Sequence, residues 1–264
     1  MPVTTGLAVI GGAVAGSAAG AGMHRWPAGA SLRHPRRSSC DACGVELQTR
    51  DLVPIVSWFL LRGGCRTCGA RIDIRLPILE AASALVAVII VRVHGPSIAA
   101  VVLVLGAVAV VVAAFIDLEH LIVPDRLTRP IAVIALLALP AVAGPDRALG
   151  VALLAIGIPL TLSVLALIAD RTGRARPIGG GDIKLLVGVL ALAGVAPLGP
   201  PAVLLVALVL AGSVAVIGLL TGQLARRSRL PFAPPLAVAF LVVIAAPDRA
   251  VDIVSILGGH SWSA

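Results

Sequence analysis

Residues 97–116 read SIAAVVLVLGAVAVVVAAFI, an apolar run without one charged side chain, and Asp117 follows it directly. A helix needs about 20 such residues to cross the hydrocarbon core of a bilayer. Seven further runs occur, at 4–23, 77–93, 130–144, 149–169, 183–199, 201–220 and 232–251. The run at 130–144 is short and the run at 183–199 carries Lys184 near its start, so either fits a partial or tilted element. All are continuous rather than alternating, which argues against a strand barrel. The expected fold is all-α, a polytopic transmembrane helical protein of about eight spans.

Composition agrees. The chain is 59% hydrophobic and 13% charged, with a mean hydropathy of +1.06. Soluble domains carry roughly 45–50% apolar and about 25% charged residues. A core of this size could not absorb the excess, because burial is limited by surface-to-volume scaling. Membrane lipid is therefore an expected partner. The net charge of +8 comes from Arg and a single Lys placed between apolar runs. Basic loops flanking spans are a topology signal, so nucleic acid is not an expected partner.

No basic residue precedes the first run, whereas Arg25, Arg33, Arg36 and Arg37 follow it. A secretory signal has the opposite order, so the first helix is expected to be retained with its N-terminus outside. Eight spans then put 18 of the 21 Lys and Arg residues in or beside the cytoplasmic segments. Only Arg92, Arg147 and Arg249 are left outside. The expected parts are a first transmembrane helix (1–23), a cytoplasmic four-cysteine loop domain (24–76) and a transmembrane core (77–264).

All four cysteines fall in that loop, as Cys40-Asp41-Ala42-Cys43 and Cys65-Arg66-Thr67-Cys68. Two such knuckles suit a tetrahedral zinc ion, each turning two thiolates toward one point. A disulfide framework is the competing reading, and a reducing cytoplasm disfavours it. A closed four-thiolate site would be structural, and a loop this small needs such a staple.

Asp117 ends one apolar run and Asp182, after Gly179-Gly180-Gly181, begins another. Both acids are expected at the cytoplasmic membrane boundary, where ionisable groups are costly and mark function. An interfacial charge for Asp117 and a plain helix N-cap for Asp182 are the simpler alternatives. Three consecutive glycines let the backbone approach another segment closely. Two carboxylates meeting in a low-dielectric site do not both ionise readily. One could then take a proton from a shared water while the other, protonated, hydrogen-bonds a scissile carbonyl. No histidine lies near a nucleophile motif. Buried carboxylates also serve proton relays, so a transporter or assembly scaffold is the rival from another class.

The residues from Gly16 to Pro235 resemble the bacterial type IV prepilin peptidases, the leader peptidase/N-methyltransferases of the GxGD class of intramembrane aspartyl proteases. Gly179-Gly180-Gly181-Asp182-Ile183-Lys184 is similar to the family's glycine–aspartate motif. Asp117, with Pro124-Asp125-Arg126-Leu127-Thr128 after it, is similar to its first-aspartate motif. Pro35-Arg36-Arg37-Ser38-Ser39-Cys40, Asp51-Leu52-Val53-Pro54-Ile55-Val56-Ser57-Trp58, Leu61-Arg62-Gly63-Gly64-Cys65-Arg66 and Pro77-Ile78-Leu79-Glu80 complete the early part. Pro231-Phe232-Ala233-Pro234 resembles a late Pro-Phe-Gly-Pro motif with Ala at its third place.

The resemblance implies that Asp117 and Asp182 are the catalytic pair and that Asp125 is a structural motif member. Glu80 reads equally as an interfacial acid or as a substrate or supporting group. Lys184 either reaches to the surface or acts on Asp182. Implied substrates are prepilins or pseudopilins, cut after a basic leader at the cytoplasmic face of the inner membrane, with the new amino group then methylated from S-adenosylmethionine. One departure bears on methylation. Where the family's first helix has Gly-Ser-Phe-Leu-Asn-Val, this chain has Gly16, Ser17, Ala18, Ala19, Gly20 and Ala21, so Gly20 stands at the Asn position. A peptidase without methyltransferase activity is the nearer alternative.

Overall fold

The structure, a computed structural model, describes residues 2–27, 29, 38–174, 176, 178–223 and 230–258. Pro35, Arg36 and Arg37 of the segment before the first knuckle lie outside these residues. So do Arg33, Arg226, Arg227 and Arg229, which contribute to the charge asymmetry. The chain folds as two units that divide at Pro96.

The first unit holds α1 (Pro2–Arg25), a 3-10 turn (Thr49–Asp51), α2 (Val56–Leu60) and α3 (Arg75–His94). α1 lies along α3. A Cβ at Gly12 would meet the Ser83 carbonyl oxygen at 2.6 Å, and one at Gly16 the Ser83 Oγ at 2.7 Å. Glycines four apart thus form the flat face that close helix approach in a membrane needs.

The second unit holds α4 (Ile98–His120), α5 (Asp125–Leu137), α6 (Leu139–Ala143), α7 (Pro145–Arg171), α8 (Gly180–Ala193), α9 (Gly199–Leu220), α10 (Ala233–Ala245) and α11 (Ala250–Gly258). α4 is capped by Ser97, whose hydroxyl accepts from the Ala100 N–H at 3.1 Å. It packs against α5, α8 and α10. α7 and α9 instead present their apolar side chains outward, with Leu149 71%, Leu153 66% and Leu220 82% exposed. Such a surface is stable against lipid and not against water.

Among the described residues no strand is formed, only two isolated bridges, and the all-α expectation holds. The count of about eight spans is not matched exactly. Among the described residues five helices, α1, α3, α4, α7 and α9, are long and apolar enough to cross a membrane. The expected span at 130–144 is divided into α5 and α6, because Pro140 has no N–H to continue the helix. The one at 183–199 stops at Ala193, before Pro197 and a left-handed Leu198 with φ 54°. The one at 232–251 stops at Ala245, since Ala246 precedes Pro247 and takes φ −139°, ψ 65°. At 1.5 Å per residue, α8 and α10 reach only about 20 Å of the roughly 30 Å of hydrocarbon.

Candidate active site

Asp117 lies in the last turn of α4 and is only 4% exposed. The helix ends three residues later because Leu121 takes a left-handed conformation, φ 53°, while its N–H still donates to the Asp117 carbonyl at 2.9 Å. The carboxylate is held from across the unit. The Ala233 N–H donates to Asp117 Oδ2 at 3.0 Å, and the Phe232 N–H points at the same group. These are the two N–H groups left unpaired at the start of α10, since Pro234 and Pro235 have none. The Pro231-Phe232-Ala233-Pro234 motif thus gains a role that reading the sequence did not assign. Its signal was proline at the start of an apolar helix.

Asp182 is the third residue of α8, which begins after Gly179. The Gly179 N–H donates back to the Asp182 carboxylate, and the side chain lies within electrostatic reach of Asp117. Asp182 Oδ1 is buried and has no protein hydrogen-bond partner. The two acids feel each other electrostatically, one at a helix C-terminus and the other at a helix N-terminus. A polar atom without a protein partner is available to a water or a substrate group.

The glycines before Asp182 differ in what surrounds them. A Cβ at Gly181 would lie 2.8 Å from the Val123 carbonyl oxygen, and one at Gly179 2.7 Å from Asp182 Oδ2. At Gly180 it would meet open space. Lys184 Nζ donates to Asp125 Oδ1 at 2.6 Å, and Arg129 donates to Asp125 Oδ2 at 2.7 Å. Lys184 is therefore paired with the first residue of α5, 59 positions away in the sequence.

Glu80 belongs to the first unit. It is 8% exposed and accepts the Ile55 N–H at 2.6 Å, which ties the loop to α3. Ile55 has φ 64°, unusual for a β-branched residue, at the start of α2. The carboxylate fixes a backbone turn.

The four cysteines converge. Their sulfurs all lie within 4.8 Å of one another, with Cys40 Sγ and Cys68 Sγ 3.8 Å apart, and none is disulfide-bonded. Vertices of a tetrahedron with about 2.3 Å metal–sulfur bonds are about 3.8 Å apart, so the set fits a metal ion of zinc's size. The two knuckles repeat one fold. Cys40 and Cys65 N–H groups donate to Val45 and Ala70 oxygens at 2.9 and 2.8 Å, and Gly44 and Gly69 turn at φ 70° and 72°. N–H groups of Cys68 and Thr67 pull the Cys65 thiol down to about 7, which favours the thiolate that a metal binds. Arg66 grips Asp51 Oδ1 at 2.6 and 2.8 Å, and this hydrogen bonding holds the Asp51 carboxyl below its usual range.

Comparison with known proteins supplies a context for this arrangement. Residues 10–93 match the Bacterial Peptidase A24 N-terminal domain, and residues 103–220 match the Type IV leader peptidase family. The prepilin leader peptidase/N-methyltransferase of Dichelobacter nodosus is 34% identical over 209 residues, covering 76% of this chain and 68% of that protein. The protein of that name from Bacillus subtilis is 30% identical over 217 residues, 82% of this chain and 84% of its own length. The type 4 prepilin-like proteins leader peptide-processing enzyme of Escherichia coli is 30% identical over 220 residues, 81% and 77% of the two chains. No solved structure matches the chain.

Proposed function

The chain belongs to the type IV leader peptidase family, and from that premise we propose that it cleaves the leaders of prepilins or pseudopilins using Asp117 and Asp182. The observation that supports this reading is that two acids lie within electrostatic reach of one another, one held by the start of α10 and the other by Gly179. With one carboxylate ionised and its neighbour protonated, the ionised group takes a proton from a water as that water's oxygen attacks the scissile carbonyl carbon. The protonated group hydrogen-bonds the carbonyl oxygen, where negative charge develops. When the tetrahedral species collapses, the C–N bond breaks and the departing nitrogen receives the proton. No covalent enzyme intermediate is needed.

An apolar recess between α4 and α5, lined by Gly106, Ala109, Leu127 and Ile131, lies on the helix that ends in Asp117. A substrate's apolar helix resting along these elements would hold the scissile bond at the depth of the acids, replacing a dilute encounter by a positioned one. The asymmetry of basic residues supports an inner-membrane protein whose aspartates and cysteine loop face the cytoplasm. Zinc is the metal proposed for Cys40, Cys43, Cys65 and Cys68, as a structural ion with no open position.

The second half of the reaction is N-methylation of the freed amino group, for which S-adenosylmethionine supplies the electrophilic methyl. No group of described residues is assigned to that cofactor. Relatives that carry the name prepilin leader peptidase/N-methyltransferase support this step, and the alternative of a peptidase without it rests on Gly20 standing at the family's Asn position. The intact mass of a prepilin co-expressed with this protein separates the readings. Removal of the leader plus one methyl group supports both activities, removal alone supports the peptidase only, and an uncut prepilin refutes the proposal.

A further inference from the structure

α8 carries Asp182 and packs on α5 along one stripe. Gly181 lies against Val123 just before α5, Lys184 reaches Asp125, and Gly188 lies against Ile131 and Ala132. With about 100° between successive residues, positions 181, 184 and 188 fall on one side of the helix, and Asp182 projects roughly a quarter-turn or more away from it. The two glycines bring the backbones close: an added Cβ at 188 would meet Ile131 Cγ2 at 2.6 Å. They offer no side chain to interlock, so they set distance better than rotation. Between them the Lys184–Asp125 bond, at 2.6 Å, is the directional contact.

We propose that Lys184 and Asp125 are positioning residues that set the rotation of α8 about its axis, and thereby the aim of Asp182 toward Asp117. This rests on the reading that the two aspartates carry cleavage. Lys184 is about half exposed, at 48%, and Asp125 38%. A pair this open adds little to overall stability, whereas a small rotation of a short helix moves a reacting oxygen far enough to matter. Arg129 binds the other Asp125 oxygen from one turn along α5 itself and touches nothing on α8 through that bond. It anchors the carboxylate without steering the second helix.

The test is prepilin cleavage in membranes by the full-length protein, with kcat and KM measured separately for Lys184→Met, Lys184→Arg and Arg129→Met. Met keeps the length of the lysine side chain and removes its charge. The expected result is a kcat about fivefold lower for Lys184→Met, with KM within about twofold, since losing an exposed pair of this modest strength depopulates the aligned rotation by no more than that. Lys184→Arg and Arg129→Met are each expected to remain within about twofold of the parent. The proposal is overturned if Lys184→Met cleaves like the parent or loses only affinity, if Arg is as poor as Met at 184, or if Arg129→Met loses as much. Asp182→Asn, run alongside, isolates the underlying reading: full cleavage by that variant removes the reading itself, independently of Lys184.

Discussion

The backbone N–H of Ala233 donates to Asp117 Oδ2 at 3.0 Å across 116 positions of sequence. An acid at the end of one helix is thus oriented by the beginning of another. The prolines of α10 leave its start with only two free donors, and both face this carboxylate.

Replacing either acid tests the chemistry. Asp117→Asn and Asp182→Asn preserve size and hydrogen-bonding shape but cannot exchange a proton in the same way. Each is expected to lower prepilin cleavage by about 1,000-fold or more while leaving the protein inserted, as losses of groups that act as a unit are large and non-additive. The double variant should therefore be hardly worse than either single one. Mass spectrometry of the co-expressed prepilin reads this directly.

The three glycines before Asp182 should not be equivalent. Gly181→Ala forces a Cβ against the Val123 carbonyl, and Gly179→Ala forces one against the Asp182 carboxylate. Both are expected to lower cleavage at least about tenfold through misplacement of Asp182. Gly180→Ala adds a methyl to open space in the first turn of α8, and cleavage should stay within about twofold. Equal sensitivity at all three positions would mean that flexibility, rather than close approach, is what the glycines provide.

Removing the proposed metal tests the loop. Chelation or Cys40→Ser is expected to make the cysteine module accessible to protease and to release one zinc ion per chain, measurable by elemental analysis. Methylation should fall further than cleavage, because the aspartates lie in a separate unit. Parallel loss of both activities would argue against that division.

Glu80 is expected to behave as an anchor for the loop. Glu80→Gln keeps an acceptor for the Ile55 N–H, whereas Glu80→Ala leaves that donor unpaired, at a cost of about 1–3 kcal/mol. Limited proteolysis between residues 50 and 60 should accelerate for Ala and change little for Gln. If Gln is as damaging as Ala, the charge rather than the hydrogen bond is what α3 requires.

The apolar runs and the paired cysteines were legible because hydrophobicity and knuckle spacing are local properties. Glycines before an aspartate were legible as a local oddity. Where helices would stop was less so: Pro140, Pro197 and Pro247 stood in plain view, yet each lay at or near the edge of a run apolar enough to read as one span. Hydropathy sums composition over a window, whereas a helix ends at the one residue that cannot supply an N–H or accept the required φ.

By itself, then, the order of residues determined an all-helical chain too apolar for water, a four-cysteine module and a pair of acids at the ends of apolar runs. Only the tertiary structure decided that Ala233 holds Asp117, that Lys184 reaches Asp125 and that Glu80 fixes Ile55, contacts separated by 116, 59 and 25 positions. Each joins a short-range directional group to a partner with no local signature, and helix packing brings the two into range.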